Sequence, residues 1–316
     1  MNVTEYRTQY EAELERAARE KVSFRDLLES SRDGQSEPRS EDDLTAAIAV
    51  IRNNHPDARL RAAALQLISL DIDENPELIG SLLEVLRDGT MPLDGRMAVL
   101  SLMQQISFSA RSFPASRPDY LATLRSIIAD PDALLRQSAI GILAQYKDEY
   151  VQRHLIEGLE GRSTPLVPAA MAIQCLGYDL HAEYFPLLRR IIEAPPSQAA
   201  KKEAVRLLAA DPEATDLLLS ILQDRSEDPE VRKLSAIALQ AAVPDRFAEQ
   251  ARRIVFDDED EDELRVVSLV GLTYSAGAVT MGVDSELIER VERLGTESAS
   301  REMRQAVTSF LSRHGG

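Results

Sequence analysis

The chain has 316 residues, of which 44% are hydrophobic, and its formal net charge is −17. Such an acidic chain repels phosphate backbones, and no apolar run reaches the roughly 18 residues that cross a bilayer, so we expect no nucleic-acid partner and no membrane partner. The only cysteine, Cys175, excludes an internal disulfide, and with the charged amino terminus it predicts a cytoplasmic protein.

The first 41 residues lie outside the pattern that fills the rest of the chain. Residues 3–29 have the composition of one or two helices, and SSRDGQSEPRSE at 30–41 is typical of a flexible connector. We expect residues 1–41 to form an N-terminal helical cap with a linker, and residues 42–316 to form one repeat array.

From residue 42 onward the chain repeats a helical phrase. DPDALLRQSAIGIL at 130–143 matches HPDARLRAAALQLI at 55–68 and DPEVRKLSAIAL at 228–239. Aligning the copies defines a basic slot that recurs every 30 to 40 residues, a spacing typical of helical-repeat solenoids. The slot is occupied in chain order by Arg61, Arg96, Arg136, Val167, Lys202, Arg232, Arg265 and Arg304.

Each copy of the phrase is the second helix of a pair, and a first helix precedes it. Aliphatic residues recur there at three- and four-residue steps, and Asp-Pro or Asn-Pro pairs supply caps at several helix starts. The sequence therefore predicts an all-α protein of about eight antiparallel helix pairs. The clearest of these preceding helices are 76–89, 119–130, 183–194, 214–224 and 286–295.

An acidic side chain stands four residues before the basic slot in half of the repeats. Such a carboxylate can cap its own helix, or it can pair with an arginine of the same or the adjacent repeat. We expect these residues to form a structural ladder through the stack, made of Arg61, Arg96, Arg136, Arg232, Arg265, Arg304, Asp57, Asp132 and Asp228.

This two-helix unit, with an Asp-Pro turn opening its second helix, resembles the HEAT repeat family, including its PBS-lyase-type repeats. The residues that carry the resemblance are 55–68, 130–143 and 228–239, with weaker copies at 92–103, 262–272 and 301–311. The resemblance covers about residues 42–313 and implies a right-handed α-solenoid whose second helices line a concave surface. Val167 departs from the pattern, as does KKEAVRLL in the fifth copy.

No phosphate-binding loop, zinc motif or nucleophile motif occurs, and the four histidines are scattered, so we expect no catalytic residue, no metal and no cofactor. Cys175 lies on an apolar helix and is expected to be a core residue. The acidic run DDEDEDE at 257–263 lacks the pattern of a calcium loop. We expect it to place negative charge at a helix N-terminus and in solvent.

Two stretches are candidate partner-binding surfaces. The middle repeats concentrate amphipathic side chains of the kind found in binding sites, namely Tyr146, Tyr150, His154, Tyr178, His181 and Tyr184. An insertion at 107–121 predicts a basic, aromatic loop with Phe108, Arg111, Phe113 and Arg117, and a second insertion at 273–286 brings Met281. Insertions in solenoids protrude at one edge, which is often the binding edge.

These features favour a non-catalytic bacterial scaffold or adaptor that presents a concave surface to a protein or peptide, preferably one with a basic surface. The alternative is a protein that handles a small ligand. The resemblance to HEAT-like bilin lyases implies a groove for a tetrapyrrole, with His154, His181 and the nearby tyrosines as its site. A HEAT-type alkylpurine glycosylase would need a basic groove, against which the net charge argues. The oligomeric state stays open.

Overall fold

The computed structural model describes residues 41–274 and 285–314, and every regular element in these two ranges is helical. The predicted all-α class is therefore confirmed for the described residues. The helical cap predicted for residues 1–41 lies outside the described residues but for its last residue, and Met281 also lies outside them. No described helix combines the length and apolarity needed to span a membrane.

Sixteen α-helices lie within the described ranges. They are α1 (Glu41–Arg52), α2 (Ala58–Asp71), α3 (Glu77–Arg87), α4 (Leu93–Ser109), α5 (Phe113–Ser126), α6 (Ala133–Gln145), α7 (Glu149–Leu159), α8 (Ala169–Leu176), α9 (Phe185–Glu193), α10 (Gln198–Leu208), α11 (Thr215–Gln223), α12 (Pro229–Ala242), α13 (Pro244–Phe256), α14 (Asp262–Tyr274), α15 (Ser285–Glu297) and α16 (Arg301–His314). Three single 3-10 turns accompany them, at Gly177–Asp179, Ala182–Tyr184 and Pro212–Ala214.

The described helices follow one another as eight pairs, in which the second, even-numbered helix carries the basic slot or follows it directly. Capping by aspartate starts several of these second helices. The carboxylates of Asp57, Asp132 and Asp228 each accept a hydrogen bond from the backbone N–H two residues further on, at 2.8, 2.8 and 3.0 Å. Each cap satisfies a donor that the first helical turn leaves unpaired.

The described residues divide between Leu143 and Ala144 into two compact units. The described core of the first unit consists mainly of aliphatic side chains. Its largest fully buried side chains include Leu82, Met103 and Tyr120. In the second unit one continuous apolar core extends from Ile173 to Phe310. There the even-numbered helices pack consecutively, α8 on α10, α10 on α12, α12 on α14 and α14 on α16.

The basic slot holds buried arginines that join helix ends. The Nε of Arg96 and of Arg232 donates to the carbonyl ten residues earlier, at the end of the preceding helix, at 3.0 and 3.1 Å. Their remaining nitrogens pair with the carboxylates of Asp130, at 2.8 Å, and Asp260, at 2.7 and 3.0 Å. Each arginine thus neutralises a helix C-terminus and ties the turn of the following pair to its own pair.

Other arginines of the slot lie nearer to the surface and bind the turn before their own helix. Arg61, Arg136 and Arg304 each donate to the carbonyl six residues earlier, and Arg61 also pairs with Asp94 at 2.9 Å. Arg265 pairs with Asp262 of its own helix.

The ladder differs from the predicted one in its carboxylates. Asp57, Asp132 and Asp228 direct their oxygens to the backbone N–H groups of their own helices, which is the capping role. Of these three, Asp228 also pairs with the slot residue of the preceding pair, because Lys202 Nζ lies 3.1 Å from its Oδ1. The inter-repeat partners of Arg61, Arg96 and Arg232 are instead other aspartates at the starts of the following second helices.

The acidic run at 257–263 precedes and opens α14, and five of its seven side chains are exposed, so the expectation of negative charge at a helix N-terminus and in solvent is confirmed except at Asp260. Several of its carboxylates also form ion pairs, which the sequence did not predict. Asp260 is 8% exposed and bound by Arg232. Asp258 pairs with Arg290, whose Nε donates to the carbonyl of Val255 at 2.9 Å. These partners stand about 30 residues away along the chain, so local charge patterning does not show them. Arg225 further binds Asp257 and Glu259.

Candidate functional site

A groove lies between α7 and α9, which are the first helices of two successive pairs. It encloses about 490 Å³, a size within the range of small-molecule sites. Residues 149, 152, 153 and 156 recur at helical spacing, so one stripe of α7 forms its wall. The lining residues are Glu149, Gln152, Arg153, Ile156, Glu160, Arg162, His181, Glu183, Tyr184 and Leu187.

A chain of polar side chains lies along this groove, and three of its members, Gln152, His181 and Tyr184, line it. Tyr184 Oη donates to Gln152 Oε1 at 3.3 Å, and Gln152 Nε2 donates to Asp179 Oδ2 at 3.3 Å. The same carboxylate oxygen lies 3.0 Å from His181 Nε2, and its other oxygen lies 3.1 Å from Lys147 Nζ. Three side chains, those of Lys147, Gln152 and His181, thus meet at the single carboxylate of Asp179, and Tyr184 joins them through Gln152.

The protonation states in this chain follow from its geometry. The hydrogen bond from Lys147, with those from Gln152 and His181, holds the pKa of Asp179 below its usual value. Burial raises the pKa of Tyr184, and the charges of Glu183, Asp179 and Glu149 raise it further. An ionised Asp179 accepts only, so His181 Nε2 carries the proton that it donates. In the neutral imidazole the other ring nitrogen, Nδ1, is then an acceptor.

Local sequence explains how these groups reach the groove. Asp148 caps α7 by accepting from the Val151 backbone N–H at 3.1 Å, which fixes the start of the helix that carries Gln152. Helix α8 ends at Leu176, and Gly177 begins the first 3-10 turn. A Cβ on Gly177 would lie 2.9 Å from Leu207 Cδ2, so glycine allows α10 to pack against this turn.

The aromatic cluster of the middle repeats does not form a single site. His181 and Tyr184 face the groove together, with ring centroids 5.3 Å apart, although Tyr184 is itself buried. Tyr150 and His154 form a separate pair with ring centroids at 4.3 Å, and His154 lies on the other side of α7. Tyr178 is exposed and does not line the groove. Tyr146 is half-buried and does not line it either.

The predicted loop at 107–121 is largely helical, since α4 extends to Ser109 and α5 begins at Phe113. Phe113 is fully buried and packs edge-on against Tyr120, with ring centroids 5.5 Å apart. It is therefore a core residue, and its prediction as a partner-binding residue is wrong, because it starts the apolar face of α5. Phe108 is 83% exposed, and Arg111 and Arg117 are also exposed. Arg111 Nε lies 3.6 Å from a carboxylate oxygen of Asp73.

The sequence reasoning missed two members of the polar chain, Gln152, which lines the groove, and Asp179, which lies behind it. Asp179 and Gln152 have no motif around them, and they meet His181 through turns that the repeat pattern does not contain. Cys175 is buried, and burial raises the pKa of its thiol to about 11, so it is a core residue without thiolate character at neutral pH. Among residues 41–274 and 285–314 no cluster of histidine, cysteine and carboxylate side chains has the geometry of a metal site.

Comparisons with known proteins identify no family for this chain. No family model and no curated protein matches the chain. Among solved structures, human deoxyhypusine hydroxylase in complex with glycerol is similar at 15% identity and a TM-score of 0.34, covering 78% of this chain and 99% of that chain. The matched protein is an enzyme, so this comparison contradicts the prediction of a non-catalytic scaffold. At this level of similarity it assigns neither an activity nor a ligand to this chain.

Proposed function

We propose that this chain binds a small molecule in the groove between α7 and α9, with His181 and Tyr184 in contact with it. The observation that carries the proposal is the hydrogen-bonded chain from Tyr184 through Gln152 and Asp179 to His181, which lies along a 490 Å³ cavity. Convergent polar groups in an otherwise partly apolar cavity are the usual signature of a ligand site.

The lining suggests an amphiphilic ligand. Ile156 and Leu187 supply apolar surface, while His181 Nδ1 is an acceptor for an N–H or O–H donor. Arg153 offers a positive charge to a carboxylate and pairs with no acidic side chain among the described residues. A tetrapyrrole, with pyrrole N–H groups, carboxylates and an apolar ring system, is one class of molecule that meets these conditions.

Native mass spectrometry of the protein purified from its own host tests this proposal, with absorbance recorded alongside. We expect a bound small molecule in the wild type and its loss in His181→Ala. Asp179→Asn should weaken binding, because the amide no longer fixes the imidazole with Nδ1 as acceptor. Tyr178→Ala is the matched control, since this exposed tyrosine of the same region lines neither this groove nor the cavity on the other side of α7. A ligand retained in full by His181→Ala and Asp179→Asn would refute the groove site.

We also infer that the helix pairs are HEAT-type repeats stacked as an α-solenoid. The inference is supported by the spacing of the basic slot and, in the second unit, by the consecutive packing of α8, α10, α12, α14 and α16. The buried contacts of Arg96 and Arg232 recur with the same ten-residue offset, as expected for copies of one unit.

A further inference from the structure

A second cavity lies against the opposite stripe of α7 and encloses about 300 Å³. Its walls come from α7, from the segment that connects α7 to α8, from the first turns of α8, and from Pro196 between α9 and α10. Unlike the groove, it is lined by apolar side chains with a single exception, His154. The lining residues are His154, Leu155, Gly158, Leu159, Pro165, Leu166, Val167, Pro168, Ala169, Ala172 and Pro196.

This cavity occurs where the repeat loses its arginine. Val167 occupies the basic slot, is 5% exposed and lines the cavity. In the pairs that carry Arg96 and Arg232, the arginine Nε satisfies the carbonyl ten residues earlier. Ten residues before Val167 stands Glu157, whose carbonyl accepts instead from the backbone N–H groups of Arg162, at 2.8 Å, and Ser163, at 3.2 Å.

The tight turn after α7 therefore replaces the arginine. Gly161 adopts φ +70°, a conformation that glycine takes without strain, and this closes the turn onto the helix end. Since the carbonyl of Glu157 already has its donors, the slot needs no charged side chain. The short valine leaves open the volume that a long arginine side chain would occupy.

The walls of the cavity are stiff. Three prolines line it, and their fixed φ angles restrict the backbone on both sides. A Cβ on Gly158 would lie 3.2 Å from Pro165 Cα, so glycine at this position permits the close approach of the connecting segment to α7. A stiff apolar cavity resists collapse and stays available to an apolar ligand.

His154 gives the cavity one polar contact of defined type. Its Nδ1 lies 2.8 Å from the carbonyl oxygen of Tyr150, which can only accept, so Nδ1 carries the proton. In the neutral imidazole Nε2 is then an acceptor, and no partner for it occurs among the residues that the structure describes. The imidazole ring also packs against the ring of Tyr150, which holds its orientation.

We propose that this cavity binds a small aromatic molecule that carries one N–H or O–H donor, of the indole or phenol class, with the donor on His154 Nε2. An apolar cavity of about 150 Å³ accepts benzene, so the 300 Å³ here admits a bicyclic ring. The inference does not depend on the function proposed for the groove, because the two cavities share no lining residue.

Indole is a suitable probe because the chain contains no tryptophan, so indole fluorescence reports the ligand alone. We expect saturable binding with a blue-shifted indole emission. Val167→Phe should abolish binding by filling the cavity, and Ala169→Leu provides a second filling variant if the first does not fold by circular dichroism. His154→Ala should weaken binding about fivefold, the factor expected for one hydrogen bond.

Benzothiophene, which has the shape of indole without the N–H group, supplies the chemical control. In competition with indole it should bind more weakly by the same factor, and His154→Ala should leave its affinity unchanged. His181→Ala should bind indole like the wild type, which separates this cavity from the groove. Absent saturation, or equal indole binding in a folded Val167→Phe or Ala169→Leu variant, would overturn the proposal.

Discussion

Removing the carboxylate of Asp260 should destabilise the protein far more than removing its neighbour Glu259. The side chains of Asp260 and Arg232 are each 5% exposed and joined by two hydrogen bonds of 2.7 and 3.0 Å. Asp260→Ala leaves a guanidinium buried without its counter-charge, which costs about 3–5 kcal/mol. Glu259 pairs with Arg225 in solvent, and Glu259→Ala should cost no more than about 1 kcal/mol.

Urea denaturation followed by circular dichroism at the helix band measures both free energies of unfolding. The double variant Arg232→Met/Asp260→Leu provides the internal check, because replacing a buried ion pair by apolar side chains should recover most of the loss. Similar small losses in Asp260→Ala and Glu259→Ala would refute the assignment of Asp260 as a buried inter-repeat connection. A double variant as unstable as Asp260→Ala would refute the electrostatic reason.

Three further outcomes are expected. Gly271→Ala should lower the free energy of unfolding by about 1–3 kcal/mol, because the new Cβ would lie 2.4 Å from Cε1 of the buried Phe247 ring. Gly141→Ala, where no atom lies within 4 Å, should raise it by up to about 1 kcal/mol. Equal melting temperatures of the two variants would contradict this. Ser268→Ala should leave stability unchanged or raise it, because the buried Ser268 hydroxyl has no partner among the described residues; a clear loss in urea would show one. Burial would raise the pKa of Asp260, but hydrogen bonds from Arg232 lower it overall, so stability should fall as pH drops below about 4, and less steeply in Asp260→Asn.

Local sequence patterns were sufficient to predict the helices and their capping residues. Asp57, Asp132 and Asp228 act on N–H groups two or three residues away, a range that a sequence pattern covers. The same patterns failed where partners come from different repeats. The burial of Asp260 and the ion pairs of the acidic run were missed because their arginines, Arg225, Arg232 and Arg290, lie in other repeats.

The groove shows the same limit more strongly. His181 and Tyr184 stood out by residue type, but Asp179 and Gln152 give them their geometry, and neither belongs to a motif. Their meeting depends on two 3-10 turns that interrupt the repeat. The prediction for Phe113 was wrong for a related reason. An aromatic residue beside arginines is typical of a contact surface, but α5 begins at Phe113 and places its side chain in the core.

The most direct test is a crystal structure of the protein purified with its natural ligand. The account predicts electron density between α7 and α9, with a ligand donor within hydrogen-bond distance of His181 Nδ1 and the Asp179–His181 contact intact. A ligand bound elsewhere on the chain, with only solvent in the groove, would contradict it.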